Sequence, residues 1–189
     1  MGILTRNDCE LLEHSGVLDG VRYELLDGVV VRKPPRDLRA ARACRTILSR
    51  IAEIFGEQFV LPATGVHVRW DDDSKNAPEP DVLLLNKPNM EITTDQPRPE
   101  DIQLLIEVAD TTRNYDLGTK AALYARAGVP EYWVISVDER RVYVHTNPTP
   151  DGSYTRREAD ETETVAPVNL PIGTSGIRVA ELLPPAAIP

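Results

Sequence analysis

Apolar and polar positions divide the chain into short elements. Thr5, with Asp8 three residues on, makes an acidic version of a capping box; Leu11 and Leu12 supply an apolar side and Gly16 an end, which predicts a short helix. Two apolar runs, Val21 to Leu26 and Val29 to Arg32, flank Asp27-Gly28, a strong signal for a tight hairpin, and Pro34-Pro35 stops the second strand. Between residues 37 and 55, Ala41, Cys44, Leu48, Ile51 and Phe55 recur at steps of three and four, the period of an amphipathic helix that Asp37 starts and Gly56 stops. Strands are expected at Phe59–Leu61, Val66–Trp70, Asp81–Leu85 and Ile102–Val108. Asp116 to Ala127 predicts a helix closed by Gly128 and Pro130, and Tyr132–Ile135 and Arg141–Val144 predict two more strands. The tail from Thr146 is polar, acidic near Glu158 to Glu163 and rich in Pro and Gly; it predicts one or two peripheral strands and a loose end. This order implies a single α/β domain over residues 1–189 with a mixed sheet, its core at about 20–145 and a C-terminal β extension at about 146–189.

Charge narrows the function. Lys and Arg number 21 against 30 Asp and Glu, a net charge of −9, which excludes a globally basic nucleic-acid binder but leaves room for a local patch. From Arg32 to Arg45 the charges are Arg32, Lys33, Arg36, Arg39, Arg42 and Arg45 against Asp37 alone. Arg39, Arg42 and Arg45 fall opposite the apolar stripe of the long helix, either as a solvated face or as contacts to a phosphate backbone. Cys9 and Cys44 are isolated, which argues against a disulfide scaffold or a cysteine zinc site and points to a reducing cytoplasm. No apolar run reaches the length of a membrane span, and the first ten residues lack the apolar stretch of a signal peptide. His14, His67 and His145 are scattered, without metal-binding spacing, and no phosphate-binding glycine loop is present.

Three residues resist a purely structural account. Asp81 opens an apolar strand directly after Pro80. Glu107 interrupts Leu104-Leu105-Ile106-Glu107-Val108-Ala109, where a carboxylate is costly unless paired, protonated or bound to a cation. Stepping around a helix from Asp116 at roughly 100° per residue puts Lys120 about 40° away, inside the apolar stripe, where an ammonium must snorkel out or meet a buried negative charge. The short separation of Glu107 and Lys120 lets the helix pack back on the strand and join the two. Two carboxylates can hold Mg²⁺ through oxygen ligands, and a nearby lysine can orient a water and offset charge developing on phosphorus.

Pro80-Asp81, then Ile106-Glu107-Val108, then Asp116-Leu117-Gly118-x-Lys120 and the run through Leu123-Tyr124-Ala125 to Glu131-Tyr132-Trp133-Val134-Ile135 resemble the bacterial "putative restriction endonuclease" family, a former domain of unknown function within the PD-(D/E)XK nuclease superfamily. Tyr23-Glu24-Leu25-Leu26-Asp27-Gly28 resembles its N-terminal hairpin. The resemblance implies a nuclease-like mixed sheet flanked by helices, Mg²⁺ or Mn²⁺ held by Asp81 and Glu107, Lys120 assisting the water, DNA as substrate, and a homodimer with one subunit on each strand. The superfamily's usual lysine position, two residues after the acid, is Ala109 here; in this family the lysine lies on the following helix, which Lys120 matches. Relatives often carry an acid just after the hairpin Asp-Gly, where this chain has Val29, and a histidine near the start of the next helix, where it has Leu38 and Arg39. Glu24 is either a substitute acid or a structural strand residue. The competing class is a non-catalytic interaction module, or subunit of a larger assembly, that keeps the fold; the net charge and the missing accessory residues favour it, whereas the intact set of Asp81, Glu107 and Lys120 favours the enzyme.

Overall fold

The computed structural model describes residues 3–109 and 112–185 of the 189-residue chain. Helix α1 (Arg6–His14) starts at the expected capping box: the Thr5 hydroxyl accepts from the Asp8 N–H, and the Asp8 carboxylate accepts from the Thr5 N–H at 2.8 Å. Strands β1 (Tyr23–Leu26) and β2 (Val29–Arg32) form the expected hairpin, with Asp27 and Gly28 at φ 48° and 76°. Two consecutive left-handed residues match the right-handed twist of the strands they join, which is why Asp-Gly suits this turn.

Helix α2 (Leu38–Phe55) is capped by the Asp37 carboxylate, which accepts from the Ala40 N–H at 2.7 Å. Its most buried stripe is Ala40, Ala43, Ile47 and Ile51, flanked by Cys44, Leu48 and Phe55 at the half-buried edge. The helix packs on one face of a six-stranded sheet of order β3-β4-β5-β6-β7-β8: β3 Val60–Pro62, β4 Val82–Leu85, β5 Ile102–Ala109, β6 Glu131–Ser136, β7 Arg141–Thr146 and β8 Thr155–Asp160. All neighbours are antiparallel except β5 and β6, which are parallel because a helical crossover joins them. Along β5, Leu104, Ile106 and Val108 face α2, whereas Leu105 and Ala109 face the crossover. Between β3 and β4 lies a short helix, α3 (Trp70–Asp73).

The crossover departs from a plain helix. One turn, α4 (Arg113–Tyr115), leads into a wide π turn over Asp116–Lys120 and then into α5 (Ala121–Ala127), which Gly128 ends at φ 81°. Residues 66–69 also differ from expectation. They join no strand, because Val66 and His67 donate to the carbonyls of Pro78 and Pro97, while the Val68 N–H is taken by the Asp73 carboxylate at 3.0 Å. The tail contributes more than a rim: β8 completes the main sheet, and β9 (Thr164–Val165) pairs with β10 (Ile177–Arg178). Among the described residues no helix is long and apolar enough to cross a membrane.

Candidate active site

Strand register brings the two acids together. β4 and β5 pair Val82 with Ile106, and the Asp81 N–H donates to the Ile106 carbonyl at 3.0 Å, so Asp81 sits at the end of the paired stretch, beside the part of β5 that carries Glu107. Alternation along β5 sets Glu107 on the face away from α2. That face also carries Leu83, Leu85 and Leu105, and α5 covers it through Ala121 and Tyr124. The apolar strand is therefore buried on both sides, and the carboxylates sit where the cover of the crossover gives way to a cleft lined by Glu24, Lys33, Arg36, Thr112, Asp116 and Lys120 as well. The cleft encloses about 90 Å³, room for a few waters or a hydrated ion.

Lys120 is the hub. Only 4% of it is exposed, and its Nζ donates to Glu107 Oε1 at 2.8 Å, lies 2.7 Å from Glu24 Oε2 and stands 3.6 Å from Asp116 Oδ1. Burial alone would pull the ammonium down, but Glu107, Glu24 and Asp116 outweigh it and hold it above its ordinary value. Burial pushes the Glu107 carboxyl well up; Lys120 opposes the rise, and Asp81, Glu24 and Asp116 add to it. Asp116 is likewise pushed up by burial against the pull of Lys120 and a hydrogen bond from the Thr112 hydroxyl at 2.7 Å. The Tyr124 hydroxyl lies 3.4 Å from Glu107 Oε1, while no hydrogen bond among the described residues reaches Oε2.

Asp81 is held differently. Its Oδ2 accepts the Val108 N–H at 2.8 Å, and its Oδ1 is ion-paired with Arg36 Nη2. The hairpin joins through Glu24, whose Oε1 accepts the Glu79 N–H at 2.6 Å while Lys33 Nζ stands 3.6 Å away. Four carboxylates, Glu24, Asp81, Glu107 and Asp116, thus meet three cations, Lys33, Arg36 and Lys120. The donor set is all oxygen and one charge more negative than its own counter-ions, which suits a hard divalent cation. Asp81 and Glu107 are the ligands it would reach, although among the described residues no group of three His, Cys, Asp or Glu is arranged as a finished metal cage.

Asp81, Glu107, Lys120 and Glu24 come together as a group; Arg39, Arg42 and Arg45 do not line the cleft. Arg39 pairs with Asp138 at 2.9 Å, and Arg45 borders a separate depression with Glu53 and Glu181. The basic wall is instead built by Arg22, Arg32, Lys33 and Arg36, from the hairpin and the connector after it. Asp116 was not singled out by the sequence reading, yet its place four residues before Lys120 on the same helix face was the signal for it. His67, between Asp73 and Asp95, and His145, against the Tyr132 carbonyl, serve elsewhere.

A model of the Uma2 family, described as "Putative restriction endonuclease", matches residues 9–180. The chain belongs to this family. The match runs past residue 145 and takes in β8, β9 and β10, so the tail is part of the family's fold. Among solved structures, a putative nuclease belonging to DUF820 from Anabaena variabilis superposes with a TM-score of 0.64 over 85% of this chain and 88% of that one, at 13% identity. The likeness shows that the mixed sheet flanked by helices is a fold shared with that protein. No curated protein matches the chain.

Proposed function

We propose that this chain is a metal-dependent endonuclease that hydrolyses DNA phosphodiester bonds, with Asp81 and Glu107 as ligands for Mg²⁺ or Mn²⁺ and Lys120 as the residue that orients the attacking water. The observation that carries the reading is the buried Lys120 ammonium on Glu107, in one cleft with Asp81 and a basic wall. Family membership supports nuclease chemistry in general. When bound, the ion supplies Lewis-acid polarisation of the phosphodiester. Lys120, fixed by Glu107, Glu24 and Asp116, is a preorganised cation that needs no rearrangement to offset charge growing on phosphorus. Glu24, rather than a residue after the hairpin turn, is the accessory acid; with Glu107 it holds the Lys120 ammonium between two carboxylates. Arg22, Arg32 and Lys33 on the wall meet the phosphate backbone, and a local wall of this kind lets a chain of net charge −9 approach DNA.

Residues 1–189 are taken as one domain acting in the cytoplasm, and a homodimer would present one site to each strand of a duplex. The test is plasmid cleavage by wild type and Lys120→Met, with Mn²⁺, with Mg²⁺ and with EDTA. Metal-dependent nicking by wild type and its loss in the variant is the expected result. No cleavage by wild type, with no metal-induced rise in melting temperature, would turn the balance to the non-catalytic module, in which the carboxylates and cations of the cleft only hold the hairpin on the sheet.

A further inference from the structure

We propose that Arg36 is the phosphate-gripping residue of this site and that, in the metal-free protein, it is held on Asp81 in the place a divalent cation would take. The inference rests on the nuclease reading and adds to it a competition between one side chain and the ion. Asp81 has two oxygens with different duties. Oδ2 is committed to the Val108 N–H, a backbone bond that fixes the carboxylate on the strand. Oδ1 faces the cleft, and the Arg36 guanidinium covers it. An ion that binds Asp81 from the cleft therefore meets Arg36 first, and two cations cannot share that oxygen without repulsion.

The connector that carries Arg36 lets it yield without unfolding. Pro34-Pro35 restricts the backbone before it, and immediately after it Asp37 caps α2 on the Ala40 N–H at 2.7 Å. The main chain is thus anchored at both sides, while the side chain, about one-quarter exposed, lies along the cleft wall. Its planar fork fits a phosphate as well as a carboxylate, so one set of donors serves both partners in turn. The other cations at the floor lack this option. Lys120 is enclosed by Glu24 and Glu107, and Lys33 donates to the Glu79 carbonyl at 2.6 Å. An ion on Glu107 can use Oε2 while Lys120 keeps Oε1, but on Asp81 the oxygen not committed to the Val108 N–H is the one Arg36 holds, so Arg36 is the cation that must yield, and a guanidinium released there faces whatever anion the cleft holds.

The experiment measures Mn²⁺ binding to wild type, Arg36→Gln and Arg36→Lys by calorimetry, without DNA. In parallel, binding of a short phosphorothioate duplex, which resists hydrolysis, is followed by anisotropy at saturating Mn²⁺. Arg36→Gln should bind Mn²⁺ at least about tenfold more tightly, the effect of removing one nearby competing charge, and the duplex about tenfold more weakly. Arg36→Lys keeps the charge but not the fork, so its Mn²⁺ affinity should stay near wild type while its duplex affinity falls. Mn²⁺ binding gained by Arg36→Gln where wild type shows none would also support the competition. Equal or weaker Mn²⁺ binding by a folded Arg36→Gln, or undiminished duplex binding, would overturn the inference and leave the nuclease reading standing. Failure of both proteins to bind Mn²⁺ would overturn the two together.

Discussion

Replacing Lys120 by Met removes the cation at the centre of the buried network while keeping most of the side chain's packing. The site then has Glu24, Asp81, Glu107 and Asp116 against Lys33 and Arg36, four charges against two. Breaking a buried ion pair by deleting one partner ordinarily costs about 3–5 kcal/mol. Here the network has an escape, because a carboxyl can take up a proton. From an ordinary glutamate value of 4.5, one protonation at pH 7 spans 2.5 pH units, a ceiling of about 3 kcal/mol. Glu107 is the group to take it, since burial has already pushed its carboxyl well up.

The sign follows from that direction. A carboxyl raised in the native state keeps a proton that the unfolded chain has released, so its stability contribution is full below the unfolded value and is lost as pH rises through the native one. Wild type and variant should decline together at first. Beyond the wild-type Glu107 value only the variant keeps falling, at about 1.4 kcal/mol per pH unit, because Lys120 no longer opposes the rise. Urea unfolding of both proteins in EDTA at pH 5, 6, 7 and 8 measures the gap. It should be small at pH 5 and widen towards pH 8, by no more than about 1.4 kcal/mol per pH unit. A gap of the same size at pH 5 and pH 8 would refute proton uptake as the compensation, and with it the view that Glu107 is the strained member of the network.

Glu107→Gln removes the excess negative charge, so in EDTA at pH 7 its stability should equal or exceed wild type by up to about 1 kcal/mol, with a flatter pH profile; a loss above about 2 kcal/mol would contradict the electrostatic account. Neutralising Arg22 and Arg32 together should weaken DNA binding and reduce its salt slope by about 1.8, whereas neutralising Arg39, Arg42 and Arg45 tests whether the exposed face of α2 adds to the wall; an unchanged slope in the first variant would remove the wall from the interface. Gly28→Ala should cost about 1–2 kcal/mol in a thermal melt, because φ is 76° and the new Cβ would fall 2.1 Å from Ile3 Cγ2; an unchanged melting temperature would show that the N-terminal segment simply gives way.

Local chemistry determined much of this protein. The Thr5–Asp8 cap, the Asp27-Gly28 turn and the Asp37–Gly56 limits of α2 depend on residues within a few positions of one another, and each formed as the pattern of residues required. Asp81, Glu107 and Lys120 were legible for a related reason: a charge set in an apolar run must be compensated, whatever the fold, and the resemblance to a nuclease family named the compensation. Residues 66–69 misled because their alternation suits a strand, while their N–H groups find loop carbonyls and the Asp73 carboxylate in place of a neighbouring strand. What only the tertiary structure decided is which distant groups share the cleft. Glu24 reaches Lys120 across 96 positions and Arg36 reaches Asp81 across 45 because the hairpin and its connector fold over the end of β4. Asp116 stays within reach of Lys120, four positions on, although the segment between them winds as a π turn and not as the α-helix the sequence suggests. Such contacts follow from strand register and from how the layers close, and the energy of a buried ion pair depends on that closure more than on the identity of the residues beside it in the chain.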